Sequence, residues 1–177
     1  MDTLMRKIFS LLPAILLALI AVGQDDIEVF GVMKDMDSGK TLVEGTVKVV
    51  DMLDTTFILT RALDSGGKYA LRVPYDRKLL IHFDSPGMMG KQIVLDTRGV
   101  PKGDREGGHG MNVNATCIMP MLGVDYQLVE HPFAIARFDA TNGSFAWDMR
   151  YVEEQKAAQL KLLEEHRAKR KELGLAK

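Results

Sequence analysis

The chain has 177 residues, and its 23 basic and 24 acidic side chains nearly cancel. General nucleic-acid binders need a basic excess to displace counterions from phosphates, so no nucleic-acid partner is expected. The single cysteine, Cys117, excludes an internal disulfide and a cysteine-based zinc cluster. Apart from the first two dozen residues, about 150 remain, which is enough for one domain with a proper core.

Residues 1–23 have the three parts of a secretory signal peptide. Arg6 and Lys7 supply the positive n-region, and an apolar run from Ile8 to Val22 follows. The small-residue ending Ala21-Val22-Gly23 predicts cleavage before Gln24. The apolar run is shorter than the ~20 residues of a membrane-spanning helix, so we expect no transmembrane span after cleavage. The expected location is periplasmic or outer-membrane-associated.

Residues 24–119 predict a β-sandwich. Short segments of alternating apolar residues follow one another at about ten-residue spacing, separated by turn sequences. Seven strands is the natural count, and the last covers residues 111–119. One face of that strand is apolar and carries Met111, Val113, Ala115, Cys117 and Met119. This shared face predicts that Cys117 is a buried, reduced core thiol.

Residues 120–147 predict a connector with a β-hairpin, and residues 148–177 a charged helix. Asn142-Gly143 is the hairpin signal, because a two-residue turn of this kind needs positive φ at both positions. Asp148 fits the N-cap of the helix and Gly174 its C-terminal stop.

The distal part of this helix is the predicted docking element. Its apolar residues form no clean stripe, so we expect only the first half to pack on the sandwich and the part beyond Leu163 to be solvated. Removing residues 164–177 should then lower the melting temperature by only a few degrees. An exposed charged helix can be covered by a partner protein. The candidate docking residues are Glu164, Arg167, Lys169, Arg170 and Lys171.

Four segments in the first half of the mature chain carry a family pattern. They are Val29-x-Gly31-x-Met33-x-Asp35, Ser38-Gly39-Lys40-x-Leu42, Gly45-x-Val47-x-Val49 and Asp64-x-x-Gly67-Lys68-Tyr69-x-Leu71-x-Val73-Pro74. Together they resemble the carboxypeptidase regulatory-like module, a transthyretin-like or prealbumin-like domain. The resemblance implies a seven-stranded transthyretin-like or Ig-like β-sandwich. Its motif residues here are Gly31, Asp35, Gly39, Gly45, Asp64, Gly67, Tyr69 and Pro74.

Two later segments, at residues 96–101 and 131–136, resemble uncharacterised envelope proteins of Gram-negative bacteria in which a hairpin and a helix follow the sandwich. The resemblance implies an exported, non-catalytic structural or protein-interaction module of the cell envelope. Its expected partner is an envelope protein.

The motifs of common enzymes and metal sites are missing from the sequence. Neither the Gly-x-Ser-x-Gly elbow nor the Walker pattern occurs. Asp35-x-Asp37-Ser38-Gly39 resembles the start of a calcium loop, but Thr46 stands where the closing Glu is needed. The sequence therefore predicts no enzyme, no metal site and no cofactor. The histidines are scattered. We expect His82 on a strand surface, His109 at a loop tip, His131 in a connector and His166 on a solvated helix.

Two alternatives stay open. A small-ligand or glycan-binding module would present a concave aromatic surface. A hydrolase using the Asp104 to His109 loop would bring Asp104, Glu106 and His109 together with His82.

Overall fold

A computed structural model describes residues 26–175, and the predicted signal peptide lies outside them. The described part holds ten strands, one α-helix and two short 3-10 helices, at Lys102–Asp104 and Gln127–Glu130. The predicted class, a mainly β sandwich with a hairpin and a terminal helix, is confirmed. The elements are β1 (Asp26–Asp35), β2 (Thr46–Asp51), β3 (Ile58–Ala62), β4 (Lys68–Pro74), β5 (Lys78–Asp84), β6 (Lys91–Asp96), β7 (His109–Asn112), β8 (Ala115–Cys117), β9 (Ala134–Asp139), β10 (Ser144–Trp147) and α1 (Met149–Glu172).

The strands form two mixed sheets. The four-stranded sheet has the order β4-β1-β7, and β8 also pairs with β1. The six-stranded sheet has the order β10-β9-β6-β5-β2-β3. Pairing is antiparallel except that β7 and β8 run parallel to β1, and β9 runs parallel to β6. Strands such as β4 and β5 bury every second residue, as expected when one face of each sheet covers the other.

The predicted seventh strand is divided into β7 and β8. At the break, the Val113 amide donates to the Phe30 carbonyl at 2.8 Å. The Asn114 side-chain oxygen accepts from the Val32 amide at 3.1 Å. Met119 was expected in the core but is 58% exposed, because the buried Ile118 forms the bridge to Met89 and shifts the alternation.

Two motif residues, Gly31 and Tyr69, meet at the same carbonyl. A Cβ on Gly31 would lie 2.0 Å from the Val113 oxygen, so only glycine allows this approach. The Tyr69 hydroxyl donates to that oxygen at 2.6 Å, and burial raises the pKa of Tyr69. These residues hold β1, β4 and the β7–β8 break together.

The other motif residues shape turns. The Asp64 carboxylate accepts the Gly66 and Lys68 amides at 2.8 Å each, and these hydrogen bonds lower its pKa. Gly67 has a φ of 72°, which favours glycine. Asp35 accepts the Asp37 amide at 2.9 Å in the turn that also contains Gly39. Gly45 precedes β2 and Pro74 ends β4.

The late hairpin extends the six-stranded sheet through β9. Its turn differs from the prediction, because the loop between β9 and β10 has four residues and, among them, only Gly143 has positive φ, at 60°. The Asp139 carboxylate accepts the Thr141 amide at 2.9 Å and thereby stabilises the longer loop.

Helix α1 packs on the sandwich and the connector through contacts that reach from Tyr151 to Arg170. Asp148 is its N-cap and accepts the Tyr151 amide at 3.2 Å, and Gly174 follows its end. The Gln159 side chain donates to the Phe133 carbonyl at 3.3 Å, and His166 is fully buried. The prediction of a solvated helix beyond Leu163 is therefore wrong at His166 and Arg170, whereas most of the other residues beyond Leu163 are exposed as predicted.

None of the helices within residues 26–175 has a stretch long and apolar enough to cross a membrane.

Candidate functional site

An open groove of about 680 Å³ lies between α1 and the sandwich. The turn after β1, residues 35–38, forms one wall, and the distal part of α1 forms the other. Lys91, at the start of β6, lines the groove between them. Leu163, Arg167 and Arg170 are the lining residues of α1, and Thr116 and Met119 complete the lining.

Asp37 joins the two walls of the groove. One carboxylate oxygen lies 2.9 Å from His166 Nε2, and the other accepts from the Arg170 guanidinium at 2.8 Å. The second ring nitrogen of His166 lies 2.8 Å from the Tyr126 hydroxyl, which also accepts the Met121 amide at 3.2 Å. Both imidazole nitrogens are therefore engaged in contacts with neighbouring side chains.

The burial of His166 corrects the expectation that it is solvated. The buried or half-buried face of α1 has helical spacing but contains Gln155, Gln159 and His166 besides Leu162 and Leu163. A search for apolar periodicity overlooks such a stripe, because three of these members are polar. The spacing of these residues, counted without regard to polarity, was the signal that could have identified the buried face of the helix.

Lys91 is a partly buried cation at the groove. Its ammonium lies 4.8 Å from the centroid of the Phe133 ring, a cation–π contact. Within residues 26–175, no carboxylate forms an ion pair with Lys91 or with the exposed Arg167. Burial lowers the pKa of Lys91, because desolvation disfavours the ammonium. A desolvated cation without an anion next to it is a ready receptor for an anionic group.

A narrow slot of about 70 Å³ adjoins the groove. The two cavities share Met36, Lys91 and Leu163 as lining residues. Lys91 therefore stands at the junction of a groove that carries most of the charged groups and a slot that is mainly apolar. The other apolar residues of the slot are Ile118, Leu128, Val129, Phe133 and Leu162, and its polar lining residues besides Lys91 are Gln92, His131 and Gln159.

The structure separates the five predicted docking residues. Arg167 and Arg170 line the groove, and Arg170 also holds Asp37. Lys169 pairs with Glu172 at 2.8 Å, while Glu164 and Lys171 are exposed. Lys91, Tyr126 and His166 were not predicted as site residues. Lys91 carried no pattern signal, because it simply opens a strand.

The residues of the suggested calcium loop form a turn instead. The Asp35 carboxylate accepts the Ser38 hydroxyl at 2.6 Å, and Asp37 is occupied by His166 and Arg170. No group of three His, Cys, Asp or Glu side chains that could hold a metal ion occurs in the described range.

His109 corrects the expectation of a polar loop tip. It lies on β7, where its Nδ1 is 2.6 Å from the Tyr75 hydroxyl. Its ring makes edge contacts with Phe138 and Phe145 of the hairpin, at centroid distances of 5.4 and 5.5 Å. His82 lies on β5 in the other sheet, opposite Lys48 and Gln92. The cluster that the hydrolase alternative requires is not formed.

The glycan-binding alternative predicted a concave aromatic surface. None of the described residues that line the groove is aromatic. A stacking platform for sugar rings is therefore lacking at this site.

The architecture defines the chain as a β-sandwich protein. No protein-family model matches the sequence, and no curated protein matches it. Solved structures resemble it at low identity.

The Bacillus anthracis TIE protein matches at 12% identity with a TM-score of 0.41, over 53% of this chain and 17% of that chain. A 3-chlorocatechol 1,2-dioxygenase from Rhodococcus opacus matches at 12% with a TM-score of 0.40, over 56% and 62%. A candidate carbohydrate-binding protein from Bacteroides uniformis matches at 11% with a TM-score of 0.36, over 52% and 41%. This chain spans less than two thirds of each, and the likeness concerns the fold alone.

The prediction from the missing motifs that the chain is not an enzyme is contradicted by the comparison with solved structures. The solved structures that resemble it include catechol and hydroxyquinol 1,2-dioxygenases, with TM-scores of 0.42 and 0.37 for two of them. At 14% and 11% identity, the same likeness transfers no activity to this chain.

Proposed function

We propose that the chain is an exported binding module of the Gram-negative cell envelope, and that a partner protein binds in the groove between the sandwich and α1. The observation that carries the proposal is Lys91, a partly buried cation that lines an open groove and has no carboxylate partner within residues 26–175. The signal-peptide pattern and the resemblance to envelope proteins support the location. The resemblance to the carboxypeptidase regulatory-like module supports a docking role.

The rigidity of the groove favours binding. Asp37 holds both walls in place through His166 and Arg170, so little order has to be gained when a ligand arrives. Arg167 is exposed at the rim, where a cation steers an acidic group toward the site and increases the association rate. The positive charges of Lys91 and Arg167 would select a partner that carries an acidic group.

Photo-crosslinking in native envelopes tests the proposal. A photoreactive residue at Thr116, inside the groove, should crosslink one discrete partner in the wild-type background. Arg167→Ala or Lys91→Met should abolish that crosslink. Arg150→Ala is the matched control, because Arg150 is an exposed arginine of the same helix outside the groove and pairs with Glu154 at 3.4 Å. An undiminished crosslink in the Lys91 and Arg167 variants would overturn the proposal.

Export has its own test. The native protein should have the intact mass of a chain that begins at Gln24, because the small-residue ending of the apolar run directs cleavage there. A native mass that still includes Met1 to Gly23 would show that the leader is retained.

A further inference from the structure

The junction at Lys91 has two chemically different sides. On one side lies the open groove with its charged and hydroxyl groups, and on the other lies the apolar slot. A ligand that uses both sides must carry an anionic group directly beside a hydrocarbon group. This requirement deepens the proposed function and rests on it.

The size of the slot limits the hydrocarbon group. A water molecule occupies on the order of 30 Å³ in the liquid, or about 10–15 Å³ when only its centre is counted, so this slot holds roughly two to seven water-sized groups. The slot has a volume of about 70 Å³. A valine or leucine side chain fits this space, whereas a long acyl chain or an indole ring does not.

The charges beside the groove limit the anionic group. Lys91 and Arg167 are cations without a carboxylate partner in the described part of the chain. Asp35 and Asp37 also line the groove, and Asp37 already has Arg170 beside it. The charged lining residues are three cations and two carboxylates, a net charge of +1, which one carboxylate neutralises and a phosphate dianion exceeds. A single carboxylate therefore suits the site better than a phosphate monoester does.

The open groove gives room for a longer chain beyond the carboxylate. Its volume is roughly tenfold that of the slot, at about 680 Å³ against about 70 Å³. The Thr116 side chain belongs to its lining and can exchange hydrogen bonds with peptide groups, and the Ser38 hydroxyl, which donates to Asp35, can still accept one. A small free acid would leave this space unused.

We propose that the site binds the free carboxyl terminus of a partner polypeptide that ends in valine or leucine. The terminal carboxylate pairs with Lys91 and Arg167, the last side chain enters the slot, and the preceding residues lie in the groove. The ammonium of Lys91 gains the anion that it lacks in the free protein.

The test is fluorescence anisotropy with labelled hexapeptides and the mature protein. A peptide ending in leucine with a free carboxylate should bind, and its C-terminal amide should bind about tenfold more weakly or worse, because the charged hydrogen bond is lost. Lys91→Met should weaken the free peptide similarly, and the matched control Lys48→Met, on the exposed position of β2, should not. Equal binding of acid and amide would overturn the proposal.

Two further comparisons keep the test independent of folding defects. Val129→Phe reduces the slot while Lys91 remains, so it should shift the preference from a leucine-ended to an alanine-ended peptide. N-acetyl-leucine should compete only weakly. Competition as strong as that of the hexapeptide would overturn the polypeptide assignment in favour of a small acid.

The two proposals fail in different ways. If no carboxyl-terminal peptide binds but the Thr116 crosslink persists and requires Lys91, the terminus assignment is wrong and the groove is still the binding site. If peptides bind but the envelope crosslink does not depend on Lys91, the proposed envelope function is wrong.

Discussion

At the scale of single residues, the most deeply buried charge of the sandwich is Asp51, which is 3% exposed. Its carboxylate accepts from the Arg77 guanidinium at 2.7 Å and from the Leu53 amide at 2.8 Å. Burial by itself would raise the pKa of Asp51, but these hydrogen bonds outweigh burial and lower it. The ion pair therefore stabilises the fold above the ordinary aspartate pKa, and this contribution is lost as the pH falls through the lowered value.

Asp51→Asn should lower the free energy of unfolding by about 2–3 kcal/mol at pH 7, because Arg77 loses its buried partner. The difference from wild type should shrink as the pH falls below about 4, because Asp51 in the unfolded chain then binds a proton before the folded-state carboxylate does. Urea denaturation of wild type and variant at pH 7 and at pH 3 measures this difference in the free energy of unfolding. Asp54→Asn is the control, since Asp54 reaches Arg77 only at 3.3 Å from an exposed position. A difference that stays constant down to pH 3 would contradict the ion-pair account.

Cys117 should react slowly with thiol reagents in the native protein. The side chain is fully buried, its thiol contacts the Phe83 carbonyl at 3.7 Å, and burial raises its pKa to about 11. At pH 7, only roughly one thiol in 10,000 would then be ionised. The labelling rate with and without denaturant checks this, and complete labelling of the folded protein within minutes would contradict it.

Residue roles were only partly predictable from the sequence. The alternation of apolar residues placed Cys117 on the inward face, because strand parity is a local property. Lys91 and His166 could not be assigned in this way. Their roles depend on which other elements approach them, and neither strand nor helix periodicity carries that information.

At the scale of elements, α1 belongs to the folded unit. His166 is fully buried and binds Asp37 and Tyr126, and Tyr151 donates to the Pro132 carbonyl near the other end of the helix. The distal half of the helix therefore contributes to stability, and the expected effect of truncation changes accordingly.

Removing residues 164–177 should lower the free energy of unfolding by about 3 kcal/mol or more, because a buried side chain and its hydrogen bonds are lost. The melting temperature should fall by roughly 6–12 °C, measured by circular dichroism. His166→Ala should account for most of the loss, and Glu164→Ala, an exposed neighbour, for almost none. If the melting temperature of the truncated protein lay within about 2 °C of the wild-type value, the helix end would not contribute to stability and would be solvated.

Strands and caps were the elements that the sequence predicted best. The N-cap Asp148, the stop at Gly174 and the alternating strands are short-range patterns, and they reappear in the structure. The β7–β8 break was not predicted, because it depends on the contact between Val113 and β1. The four-residue loop before β10 depends on the Asp139 side chain, which competes with a tighter turn.

At the scale of the whole molecule, the fold class followed from the sequence but the site did not. The parallel pairing of β9 with β6 brings the residues before β9 next to Lys91, so Phe133 meets the ammonium. The groove then arises from three distant parts of the chain, namely the turn after β1, the start of β6 and the end of α1. No local sequence pattern predicts such an arrangement.

The central claim is that Lys91 is kept for binding and not for stability. An ammonium that is partly desolvated without an anion costs free energy, so its removal should not weaken the fold. Because the pKa of Lys91 is lowered by folding, the unfolded chain binds the proton more tightly, and the cost is relieved as the pH rises through the folded value.

The most direct test is the free energy of unfolding of Lys91→Met at pH 7, measured by urea denaturation beside wild type and Lys48→Met. Methionine keeps the apolar stem that packs near Phe133 and removes the charge. The account predicts a variant as stable as wild type or more stable by up to about 1 kcal/mol. A loss of more than about 1 kcal/mol would show that the cation–π contact with Phe133 stabilises the fold, and it would contradict the claim that Lys91 is not kept for stability.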